Sequence, residues 1–300
     1  MKPIVEAKEY DYITRQKIIG QICDEYKFLK KSTIGKSVLG KEINAIKIGD
    51  TAEYSIIAAA FHGSERITAT ILLMFIEQLS FAYKNNLSIA GFNARAALRG
   101  RGVIFIPCVN PDGCDISLLG KKGCGALYEK IGRICKNDFT YWNANARGVD
   151  INHNFNAGWK ELRELERKEG IYGPSPTRFG GFKPESEPET IALTDLCQKT
   201  KIRHVTALHS QGEVIYWTYG DKTPKKSKRM AEIMATSSGY ALDVPCLIAT
   251  GGGFKDWFIS EFDRPGFTIE LGKGKNPLPT ETAKDIYLKV REMLMLCCIM

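Results

Sequence analysis

Apolar and polar positions along the chain switch repeatedly between helical and strand periods. Tyr12, Ile18, Ile19, Ile22, Tyr26 and Leu29 recur at helical intervals and predict an N-terminal helical segment over residues 1–31. Turn residues fill 32–40. Residues 42–48 carry Ile43, Ala45, Ile46 and Ile48 and suit an edge strand. Residues 54–61 are almost wholly apolar without a helical stripe, the pattern of a strand buried on both faces. Residues 67–75 return to helical spacing through Ile67, Ile71, Met74 and Phe75. Three more buried strands are predicted over 103–108, 204–209 and 266–271. Helices are predicted over 161–168, 188–199, 230–238 and 281–300, the last capped by Thr280. Ser186-Glu187-Pro188-Glu189 reads as a capping box, so its carboxylates are assigned to the helix start rather than to chemistry. Asn110-Pro111-Asp112-Gly113 reads as a turn, and residues 114–146 have no assignable period. Strands and helices alternate from end to end. The expectation is one α/β domain over residues 1–300, with a mixed central β-sheet flanked by helices on both faces.

Composition narrows this picture. The 300 residues suffice for a full core, and no internal repeat or low-complexity linker divides them. No apolar run is read as long enough to span a membrane, so no membrane insertion is expected. The first ten residues carry charges where a secretory signal has its apolar centre, which predicts a cytoplasmic protein. The nine cysteines are odd in number and lack Cys-x-x-Cys spacing. Buried thiols, among them Cys108, Cys197 and Cys246, are expected rather than a disulfide framework. The net charge of +8 is moderate. Its densest run, Lys225-Lys226-Ser227-Lys228-Arg229, has no interleaved aromatic residues, so it reads as a solvated helix start and no nucleic-acid partner is expected. Gly251-Gly252-Gly253 is not followed by Gly-Lys-Ser/Thr, which excludes a phosphate loop. Nothing in the composition sets an oligomeric state.

Three predicted strands end in ionisable residues. His62, followed by Glu65, leaves the strand over 54–61; His209 closes another; Glu270 sits near the end of a third. A carboxylate inside Phe-Thr-Ile-Glu-Leu is costly unless it is partnered or at the strand end. Each residue alone has a plain structural explanation. Together they supply His, Glu and His for one metal ion and a further carboxylate, the set a zinc hydrolase needs.

With Asn110-Pro111-Asp112-Gly113 and Arg147-Gly148-Val149-Asp150-Ile151-Asn152-His153-Asn154-Phe155 between these residues, the chain resembles the zinc carboxypeptidase family of metallopeptidases. The resemblance extends over about residues 37–279. Gly173-Pro174-Ser175-Pro176-Thr177-Arg178-Phe179-Gly180-Gly181, His209-Ser210-Gln211-Gly212-Glu213 and Gly253-Phe254-Lys255-Asp256-Trp257 resemble its bacterial γ-D-glutamyl-L-diamino acid endopeptidases. The resemblance implies one Zn²⁺ held by His62, Glu65 and His209, with Glu270 as general base. It implies Arg147 as the cation on the developing oxyanion, and Asn152 as donor to a substrate carboxylate. Where ordinary carboxypeptidases have Asn-Arg this chain has Asn152-His153, so strict C-terminal exopeptidase action is not implied. Ile248 falls where the digestive enzymes have a tyrosine. Lys255 occupies the position that sets specificity, and a lysine there favours a muropeptide or other acidic peptide; the alternative for it is an exposed loop lysine. The function so implied is zinc-dependent hydrolysis of the γ-D-glutamyl–diaminopimelate bond of peptidoglycan stem peptides. The alternatives are a metallocarboxypeptidase of unusual specificity, a non-catalytic muropeptide-binding protein and, more weakly, a zinc deacylase.

Overall fold

Strand β3 (Tyr54–Ala59) has every residue buried in the computed structural model, which describes residues 3–300. It lies between two parallel neighbours. In chain order the strands of the main sheet are β1 (Lys30–Lys36), β2 (Glu42–Ile48), β3, β4 (Gly102–Ile106), β5 (Ile202–His209), β6 (Val214–Tyr216), β7 (Ala241–Asp243) and β8 (Gly266–Glu270). They form one eight-stranded sheet in the order β1-β2-β4-β3-β5-β8-β6-β7. The central run β4-β3-β5-β8 is parallel, and the β1–β2, β2–β4 and β8–β6 pairs are antiparallel, so the sheet is mixed.

Alternate residues of β3 enter different cores because side chains of a strand point to opposite faces. Ile57 and Ala59 join helices α1 (Tyr12–Glu25), α2 (Ile67–Asn85), α7 (Lys226–Ser238) and α9 (Ala283–Ile299). Ile56 and Ala58 join α6 (Pro188–Lys199) and α8 (Phe254–Phe262) on the other face. Helices α3 (Pro111–Leu119) and α4 (Tyr128–Cys135) pack Ile116 and Ile131 into a satellite core, and α5 (Trp159–Lys168) follows the Asn-rich loop.

Several expectations are corrected. The predicted turn at 32–40 gives way to β1, whose exposed, lysine-bearing sequence shows no alternation because it is the sheet edge. Residues 42–48 therefore form the second strand, not the edge. The N-terminal segment is helical only over Tyr12–Glu25; its residues 1–2 lie outside the described range. Asn110-Pro111-Asp112-Gly113 opens α3: Asn110 Oδ1 accepts from Gly113 N at 2.8 Å. There is no capping box at Ser186, since Glu187 at the cap position makes no side-chain bond to the backbone of the helix start and Glu189 turns into the protein, where Val38 N and Asn145 Nδ2 donate to it at 3.1 Å each. Thr280 starts a 3-10 turn, and α9 begins at Ala283. Cys246 is exposed. The stretch Gly63–Asn85 is long and apolar enough to cross a membrane by length and composition, yet most of it is buried as a core helix over the sheet.

Candidate metal and catalytic centre

Parallel strands deliver their C-terminal ends to one edge, and α/β sheets place ligands there. β3 ends at Ala59. Ala60 turns the chain at a φ of 54°, with its N–H donated to Thr68 Oγ1 at 2.9 Å. His62 and the 3-10 turn Gly63–Glu65 follow. His209 is the last residue of β5 and is paired in register with Glu270, the last residue of β8.

The ligating atoms of His62, Glu65 and His209 lie within 4.8 Å of one another. His62 Nδ1 is 2.8 Å from Glu65 Oε1, His209 Nδ1 is 3.0 Å from Glu65 Oε2, and the two Nδ1 atoms are 3.3 Å apart. Two ring nitrogens and a carboxylate thus face a common point, and the donor set contains no thiol. His62 Nε2 is 3.0 Å from Asp150 Oδ1, which orients the ring, and Ser210 N donates to Glu65 Oε2 at 3.2 Å. His₂Glu with an outer carboxylate on one imidazole fits Zn²⁺. His209 Nε2 is buried without a partner among the described residues.

The charges around this point are mutually dependent. Burial alone would lower the His62 pKa, but the carboxylates of Glu65 and Asp150 outweigh it and raise the value well above 6.5. Burial would raise Glu65; the two imidazoles pull it down to about 2. Asp150 is held below the usual carboxylate range: burial opposes this, and His62 and His153 overcome it. Glu270 moves the other way. Burial and then the Glu65 charge raise its pKa well above 4.5, against the weaker pull of His62.

A cavity of about 120 Å³ opens beside the centre, and its walls include His62, His209, Glu270, Asn152, His153 and Lys255. Asn152 Oδ1 accepts from Phe254 N at 3.1 Å. His153 is buried and its Nδ1 lies 2.8 Å from Glu166 Oε1; burial, opposed by Asp150, lowers its pKa. Lys255 is not an exposed loop lysine. It sits buried in the first turn of α8, where its ammonium contacts Asp256 Oδ1 and donates to Thr218 O at 2.6 Å. Arg147 does not line the cavity; its half-exposed side chain pairs with Glu187 Oε2 at 3.4 Å. A wider groove by Pro3, Tyr26, Met74 and Tyr287 lies on α2 and α9, and its one carboxylate, Glu77, accepts from the backbone of Ile4 and Val5.

Sequence reasoning assigned no role to Asp150, Glu166 or Asp256. Asp150 carried a signal, standing in the same polar loop as Asn152. Glu166 carried none: Trp-Lys-Glu-Leu-Arg-Glu-Leu-Glu-Arg-Lys resembles a solvated helix, yet Arg163 and Glu166 are buried together.

The zinc carboxypeptidase family model matches residues 17–294. The chain is 36% identical over 283 residues to γ-D-glutamyl-L-diamino acid endopeptidase 1 of Lysinibacillus sphaericus, an alignment covering 93% of this chain and 70% of that one. It is 26% identical over 257 residues to murein peptide amidase A of Escherichia coli, covering 85% and 84%. The solved structure of bovine thrombin-activatable fibrinolysis inhibitor, in complex with tick carboxypeptidase inhibitor, superposes with a TM-score of 0.74 at 20% identity, covering 97% of both chains.

Proposed function

This chain belongs to the zinc carboxypeptidase family of metallopeptidases, and from that premise we propose that it hydrolyses the γ-D-glutamyl–diamino acid bond of peptidoglycan stem peptides. As a family member it is a zinc-dependent peptide-bond hydrolase. The observation that supports the mechanism is the placement of Glu270, one strand from His209 and on the same cavity wall. A carboxylate whose pKa is raised by burial is a better proton acceptor than a solvated one. Glu270 takes a proton from the attacking water and returns it to the amine nitrogen as the C–N bond breaks. His62, Glu65 and His209 would hold the zinc, which when bound would supply a Lewis acid for the scissile carbonyl. Asp150 fixes the ring of His62.

Three features support the bond. The Lysinibacillus relative is named for it. The residue after Asn152 is a histidine tied to Glu166, which lacks the two-pronged grip of an arginine on a C-terminal carboxylate. Lys255 places an ammonium on the cavity wall for an acidic substrate group, provided it exchanges partners with Asp256. Asn152 is the neutral donor available to a substrate carboxylate on the same wall.

Mass spectrometry of L-Ala-γ-D-Glu-diaminopimelate incubated with zinc-loaded protein, beside Glu270→Gln, tests this. Release of L-Ala-D-Glu by the wild type only is expected. Trimming of ordinary C-termini in its place would replace the proposed bond with carboxypeptidase action. Lys255→Ala should shift the ratio of turnover between diaminopimelate and lysine peptides; an unchanged ratio at unchanged rates removes Lys255 from recognition.

A further inference from the structure

Peptide hydrolysis moves an electron pair onto the carbonyl oxygen as water attacks, and a fixed donor there helps most in the transition state. The cations near the centre are engaged elsewhere: Arg147 on Glu187, Lys255 on Asp256 and Thr218, Arg178 on Glu169. One neutral side chain, that of Asn143, is anchored to the ligand-bearing turn through its acceptors. Asn143 O accepts from Gly63 N at 3.1 Å, and Asn143 Oδ1 accepts from Ser64 Oγ at 2.5 Å. Gly63 and Ser64 are the two residues between the ligands His62 and Glu65. The backbone before Asn143 also packs on this turn, since a Cβ on Gly63 would lie 2.3 Å from Gly113 O and 2.4 Å from Trp142 O. Asn143 is pinned further by its N–H on Pro176 O at 2.9 Å and by Asn110 Nδ2 on its carbonyl at 3.1 Å. Its backbone and its Oδ1 are therefore fixed, while its Nδ2 donates to no acceptor among the described residues.

We infer that Asn143, rather than Arg147, donates the hydrogen bond that stabilises the scissile carbonyl oxygen as it becomes anionic. The assignment rests on the chain acting as a peptidase. Water's oxygen bonds to the carbonyl carbon, the π pair moves to the oxygen, and it returns as the C–N bond breaks. The Asn143 amide shares its hydrogen throughout and transfers none. A neutral donor is adequate here because the ion that His62, Glu65 and His209 would hold would supply positive charge beside the same centre. Its value lies in being fixed before the reaction starts.

The test pairs turnover with binding. Asn143→Ala should lower kcat about 100-fold with KM within about twofold, the range for one lost oxyanion donor. Asn143→Asp keeps the oxygen that Ser64 contacts and should be at least as impaired. Zinc content and melting temperature establish that each variant is folded and loaded. Calorimetry with two zinc-loaded-site probes, a phosphinic stem-peptide analogue and a phosphinic analogue of an ordinary C-terminal sequence, gives the second readout. Whichever binds the wild type should bind Asn143→Ala about 100-fold more weakly. Equal affinity and equal kcat in a folded, loaded Asn143→Ala overturn the assignment while leaving the peptidase intact. Losses in Arg147→Ala with Asn143→Ala near wild type give the role back to Arg147. Binding of the ordinary analogue alone overturns the stem-peptide bond but not Asn143; binding of neither overturns both.

Discussion

At and beyond the ends of β3 and β5, donor atoms of His62, Glu65 and His209 crowd to about 3 Å. On the wall of the same cavity, Lys255 and His153 already face Asp256 and Glu166, and beyond it Arg147 faces Glu187. The first region gathers the donor atoms that would hold a metal ion. The second is a set of positive or proton-bearing groups each matched to a carboxylate. For Lys255 and His153 the contrast follows from burial. An unpaired cation deep in the protein is destabilising without substrate, so charged recognition groups are stored as pairs. A metal site tolerates crowding because the ion itself resolves it. Substrate recognition on the second wall then depends on exchanging partners, and neutral amides such as Asn143 and Asn152 are the groups with donors available.

Removing the metal should break the first region most severely. Chelation should abolish turnover and lower the melting temperature, with about 2.7 kcal/mol of stability returning when free zinc reaches a hundred times its Kd. One equivalent of zinc should restore both; retained turnover in protein shown to be metal-free would contradict the site.

The second region breaks by removing one member of a pair. Lys255→Ala leaves Asp256 buried and unmatched and should cost about 4 kcal/mol in denaturant unfolding. The double change Lys255→Met with Asp256→Asn should recover part of that. A single variant as stable as the wild type would mean that the pair is already open to water.

A buried carboxyl without a cation partner sharpens the contrast. Burial pushes Glu189 from 4.5 up to about 7, although Asn145 and Val38 donate to it. Its folded pKa lies above its unfolded pKa, so the native state binds more protons across that interval. Stability is therefore fully present below about pH 4.5 and falls as pH rises towards 7, by about 3 kcal/mol from this group. Glu189→Gln should flatten that slope and be more stable than the wild type at pH 8; parallel pH–stability curves would rule this out.

The smallest effect is expected behind the metal. Asp150→Asn keeps the shape of the contact on His62 Nε2 but removes its charge, and should weaken zinc binding 10- to 100-fold in a competition titration. Affinity within twofold of wild type would show that the ring is held by packing alone.

The apolar runs that become β3, β4, β5 and β8 announce themselves because strands buried on both faces exclude polar residues. The ends of those runs also announce His62, His209 and Glu270, since an ionisable group closing an apolar strand calls for a reason. The edge strand β1 was illegible: facing solvent, its Lys-Lys-Ser-Thr sequence is free of the constraint that writes a pattern. α3 was hidden for another reason, as Asn-Pro-Asp-Gly serves equally as a turn and as a capped helix start.

The chain's own pattern thus determined an alternating α/β domain and the residue types of a zinc centre, because burial and strand termination are local properties. Tertiary structure alone decided which polar groups remain available. Glu187, Thr218 O and Glu166 meet Arg147, Lys255 and His153 through packing of segments distant in sequence. Asn143 reaches the metal-binding turn across 79 residues of sequence through its contact with Ser64. Whether a donor is engaged depends on where distant segments bring their acceptors, and no local sequence pattern records that distance.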